Sequence, residues 1–75
     1  MKKELDYYLN LPYKIEIRPS MEGGFGARIV ELPGCVTQGE TLEEVIANIK
    51  DAKVCWLEVA LEEDMVIPEP VLSNN

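Results

Sequence analysis

Two thiols, Cys35 and Cys55, and 14 carboxylates are the groups in this chain that could do chemistry; histidine is absent. Cys35 closes the stretch Leu-Pro-Gly-Cys at 32–35, where a glycine turn could present a nucleophile. A thiol needs a neighbouring base or cation to become a thiolate, and the commonest base is missing. Cys35 therefore reads as a small, half-buried residue at the start of a strand. Cys55 falls inside a helical pattern and reads as a core or interface thiol. The two are separated by 19 residues, a spacing that matches no metal site, and two thiols without histidine do not complete a zinc shell. Glu62, Glu63 and Asp64 are consecutive, so on a helix they point to different faces and share no cation. Gly23, Gly24 and Gly26 lack the lysine and the following helix of a phosphate-cradling loop. Trp56 lies in an apolar stripe and reads as core before it reads as a stacking platform for a base. No catalytic, cofactor or metal constellation emerges, and the expected role is binding, not catalysis.

The remaining residues must build the scaffold. At 75 residues, 1–75 is expected to be one domain. A chain this short hides only ~60% of its unfolded surface, so its core is marginal and association is the expected staple. The formal charge is −7, from 14 acidic and 7 basic residues. That balance argues against gripping nucleic acid, which needs cations to neutralise phosphate. It suits a basic protein partner, and it also serves plain solubility. The first ten residues hold no apolar core of a secretory signal, and no run reaches the ~20 apolar residues of a membrane span. A cytoplasmic protein with reduced thiols is expected.

Residues 1–12 read as an N-terminal arm with a short helical turn, stopped by Pro12. Tyr13, Ile15 and Ile17 alternate with Lys14, Glu16 and Arg18, a strand with one buried face. Pro19 to Gly24 make a turn, and 25–32 return as a second strand, giving an antiparallel hairpin. Pro33-Gly34 turns again, 35–38 can form a short third strand, and Gly39 ends it. Thr41 and Glu44 then form a capping box, with the Thr41 hydroxyl accepting from the Glu44 N–H and the Glu44 carboxylate returning a bond. The helix they start is expected from Leu42 to about Glu62. Leu42, Val45, Ile46, Ile49, Ala52, Trp56, Val59 and Ala60 follow helical spacing and should cover the sheet. Val54, Leu57 and Leu61 fall on a different side, and with no chain left to cover them they are expected to meet a second subunit. Residues 65–70 are expected to add a last short strand before Pro68 and Pro70 end it, and 71–75 to be a frayed tail. The fold class is α+β, a small mainly antiparallel sheet in the order βββαβ with one long helix packed on it.

Taken in order, the motifs resemble the HicB-like antitoxin family. They are Gly23-Gly24-Phe25; Leu32 to Cys35; Gln38 to Thr41; Glu43-Glu44; Trp56-Leu57; and Ile67 to Pro70. The resemblance runs over nearly the whole chain. It implies a partial ribonuclease-H-like layer, homo-oligomers (dimers or higher), and a partner, a small basic HicA-type ribonuclease that cuts messenger RNA and is neutralised by protein–protein binding. Many relatives add a C-terminal DNA-binding domain; none is expected here after "IPEPVLSNN", so direct operator binding is not expected. The alternative is an orphan oligomeric scaffold or ligand-binding protein with no toxin partner. A metal-dependent nuclease remnant is the weakest reading, because Glu16 and Glu31 are the only strand acids and lie on or near solvent-facing positions.

Overall fold

The computed structural model describes residues 4–71. A short helix, α1 (Leu5–Leu9), leads into three strands and one long helix: β1 (Ile15–Pro19), β2 (Phe25–Ile29), β3 (Val36–Gly39) and α2 (Leu42–Glu62). The sheet runs β1-β2-β3, antiparallel throughout, with Ile17 opposite Ala27 and Ala27 opposite Thr37. Helix α2 packs on β2 and β3, and α1 packs on α2. This is the expected α+β class, a small antiparallel sheet with one long helix packed on it. Of the tail expected at 71–75, only Val71 lies within the described residues.

Local chemistry sets each boundary. The first hairpin turns through Gly23 and Gly24, both at positive φ. A β-carbon on Gly24 would sit 2.6 Å from the Gly39 carbonyl oxygen. Gly39 is just as crowded, since a β-carbon there would lie 2.6 Å from the Val45 nitrogen. The glycine that ends β3 is what lets the first turn of α2 press against the strand it has just left.

At the start of α2, the Glu44 N–H donates to the Thr41 hydroxyl at 3.1 Å. The Glu44 carboxylate accepts from the Glu40 N–H at 2.9 Å, one residue earlier than a capping box directs it. The helix ends in a Schellman-type reversal: the Met65 N–H donates to the Ala60 carbonyl and the Asp64 N–H to that of Leu61. Asp64 holds the left-handed position (φ 55°) where glycine is commonest.

Two expectations are corrected. No fourth strand forms after α2 among the described residues, so the βββαβ order ends at βββα. Residues 65–71 are irregular; Pro68 and Pro70 have no N–H to give a ladder. Ile67 is nevertheless buried, and the Tyr13 hydroxyl donates to the Pro68 carbonyl at 2.6 Å. The segment is thus anchored by a side chain and a hydrogen bond in place of a strand pairing.

The second correction concerns the face of α2. Its buried residues are Val45, Ile49, Leu57 and Ala60. Leu42, Ile46 and Val59, expected in the stripe, are exposed. Leu57, expected at a subunit interface, has 0% of its surface exposed within the single chain. The cover comes from the arm: Tyr8 joins Leu57 in the core, with Leu5, Leu9, Leu11 and Leu61 packed against it.

Candidate functional site

Three surfaces are candidates, and each follows from where α2 lies on the sheet.

The flank of α2 beside α1 was expected to carry the interface through Val54, Leu57 and Leu61. Leu57 is lost to the core, and Val54 and Leu61 are half-buried. Only the rims of those two side chains remain for another molecule. Nearby, burial and then the Glu69 carboxylate push the Tyr13 phenol up to about 12, so it stays a hydrogen-bond donor to Pro68.

The opposite flank faces β3. Here Trp56 Nε1 donates to the Pro33 carbonyl at 2.8 Å, and Asn48 Nδ2 to the Gln38 carbonyl at 2.8 Å. Between strand and helix runs a groove of about 280 Å³, lined by Val36, Ala52, Cys55, Trp56, Val59 and Met65 among others. Val36 (63% exposed), Val59 (54%) and Met65 (49%) show large apolar surfaces there. Cys55 is exposed at this groove, whereas Cys35 is buried. Burial pushes the Cys35 thiol up, against smaller opposing effects of a backbone hydrogen bond at Ile29 and the charge of Lys53. It is a core thiol, not an activated one.

The third surface is the outer face of α2. Glu44, Asp51, Glu58 and Glu62 are all exposed and are spaced seven, seven and four residues apart, which aligns them along one side of a helix. The row is ~27 Å long at 1.5 Å per residue. No lysine or arginine stands three or four residues from any of the four, the spacing at which a helix would neutralise them. Sequence reading missed this row; the seven-residue spacing of acids was the available signal.

One carboxylate of the sheet is matched by cations. On the outer sheet face, Arg28 Nε donates to Glu16 at 2.9 Å, and Arg18 lies 3.3 Å from the same oxygen. The Arg28 bond holds the Glu16 carboxyl below its usual range. Among the described residues there is no group of three or more metal-ligating side chains, and no helix is long and apolar enough to cross a membrane.

Residues 13–74 match a family described as HicB_like antitoxin of bacterial toxin-antitoxin system. A UPF0150 protein of Synechocystis is 46% identical over 56 residues, 75% of this chain and 77% of that protein. The HicB antitoxin of Escherichia coli K12 is 34% identical over 63 residues, 84% of this chain and 46% of that protein. Antitoxin HicB 1 of Photorhabdus laumondii is 33% identical over 61 residues, 81% of this chain and 39% of that protein. The chain thus spans less than half the length of either antitoxin.

Proposed function

Because this chain belongs to the HicB-like antitoxin family of bacterial toxin–antitoxin systems, we propose that it is the antitoxin module that neutralises a small, basic HicA-type messenger-RNA ribonuclease in the cytoplasm. The observation that carries this reading is the unneutralised row Glu44–Asp51–Glu58–Glu62 along the exposed face of α2. A row of carboxylates ~27 Å long offers negative charge to a surface whose cations otherwise meet phosphates. Seated on that surface, the acidic helix competes with RNA for the same cations. Opposite potentials also speed the encounter. The chain acts by occupancy and catalyses nothing itself.

Association of copies goes with this reading and with the orphan scaffold alike, since a 75-residue chain has little core of its own. On the α1 flank only the rims of Val54 and Leu61 are available for it.

The test is recovery of the tagged chain from its native host with its bound proteins, followed by an RNA cleavage assay. A small basic protein should be recovered in stoichiometric amount, and its cleavage of RNA should stop when the chain is added. Recovery of this chain alone, as a stable oligomer, would replace the antitoxin reading with the orphan scaffold.

A further inference from the structure

The two edges of the sheet are built differently. A sheet edge is a row of unpaired N–H and C=O groups, and proteins blunt it with charge or proline. The β1 edge has both: Glu16 and Arg18 along the strand, Lys14 just before it and Pro19 at its end. The β3 edge has neither. It lies in the longest uncharged run of the chain, the eight residues from Leu32 to Gly39.

The ladder shows which backbone groups that edge offers. The Ile29 N–H donates to the Cys35 carbonyl. Antiparallel pairing alternates, so Cys35, Thr37 and Gly39 turn their backbone groups toward β2 while Val36 and Gln38 turn theirs outward. The Val36 N–H is held by the Gly34 carbonyl and the Gln38 carbonyl by Asn48. The Gln38 N–H and the Val36 carbonyl have no partner among the described residues. One donor and one acceptor, two residues apart and centred on Thr37, are complementary to themselves across a two-fold axis.

We infer that β3 is the pairing edge for a second copy of this chain, joining two three-stranded sheets into one six-stranded sheet with Thr37 on the axis. Each Gln38 N–H donates to the Val36 carbonyl of the second copy. Thr37 then faces itself, a cross-strand pair that contributes favourably. The same operation at the β1 edge would set Glu16 against its own copy, a like-charge pair that costs stability. The groove beside β3 continues the contact, because Val36, Val59 and Met65 adjoin the new strand. The inference does not depend on the antitoxin reading, and it leaves the acidic row of α2 outside the pairing edge.

The test uses the purified full chain. Residues facing each other at a non-hydrogen-bonded antiparallel position have Cα atoms ~4.5 Å apart, within disulfide range. Thr37→Cys, in a Cys55→Ser background, should therefore form a disulfide-linked dimer on mild oxidation, seen as doubled mass. Gln38→Pro removes the outward N–H, together with the Gln38 side-chain amide, and fixes φ in the extended range; it should halve the mass in light scattering and keep the helical circular dichroism of the parent. Because each copy is acidic, the unmodified dimer should tighten as salt rises, the opposite of binding to a basic partner. Absence of the linked dimer, or an unchanged mass for a folded Gln38→Pro, overturns the inference. If Gln38→Pro does not fold, the cross-link alone decides. Dimers that loosen with salt would also overturn it.

Discussion

The two flanks of α2 differ in what reaches them. On one side Leu57 is completely buried, with Tyr8 of α1 in the same core cluster. On the other, Val59, only two residues further along, is half in solvent beside the exposed Val36 and Met65. Both flanks carry apolar residues at helical spacing, so periodicity does not distinguish them. What separates them is a tertiary event, the docking of a five-residue helix that α2 itself does not specify. An apolar stripe reports that a face is covered and leaves open by what.

The largest effect expected is at the covered flank. Leu57→Ala should cost ~3 kcal/mol in denaturant unfolding, as a large-to-small change at a fully buried site does. A cost below ~1 kcal/mol, typical of exposed positions, would mean that α1 does not close this flank in solution.

The second prediction concerns the hydrogen bond from Tyr13 to Pro68. Tyr13→Phe should lose ~1 kcal/mol. Its raised pKa also has a sign. Folding favours the protonated phenol, so the associated stability is fully present below ~10, the ordinary tyrosine value, and is lost as pH rises through about 12. The parent should lose more stability over that window than Tyr13→Phe. Equal losses would remove Tyr13 from the closure of the 65–71 segment.

Thr41→Ala serves neither flank and gives a baseline. It should cost ~1 kcal/mol through the lost cap, with both flanks intact. Val59→Ser should be the smallest change in the stability of the single chain, within ~0.5 kcal/mol. Its effect should appear instead in association, as a weaker dimer in concentration-dependent light scattering. A large stability loss from Val59→Ser would show that its flank is already covered inside one chain.

How much was legible in the sequence varies by element for physical reasons. Helix α2 was legible to both ends, because Thr41 and Glu44 mark its start and twenty-one residues carry its period. The hairpin was legible from the alternation at 13–18 and the glycines at 23–24. The irregular course of 65–71 was not, because "MVIP" satisfies strand propensity while Pro68 and Pro70 withhold the N–H groups a ladder needs. Instead, burial of Ile67 and the hydroxyl of Tyr13 hold the segment, a contact across fifty-five residues that no local pattern shows. The acidic row was legible in the spacing of Glu44, Asp51 and Glu58, but each acid read singly looks like ordinary solubility. The bare edge was legible as the uncharged run 32–39, once a strand was known to lie there without a neighbour.

The most direct test is calorimetry of the chain against the basic ribonuclease proposed above as its partner, comparing the parent with the triple substitution Asp51→Asn, Glu58→Gln and Glu62→Gln. These changes keep the shape of the helix and leave the Glu44 cap in place. The account predicts that affinity falls about tenfold at low salt and that the difference shrinks as salt rises, as expected for three partly screened charge contacts. Equal affinity for the two proteins at every salt concentration would contradict it, and would move the binding surface off the outer face of α2.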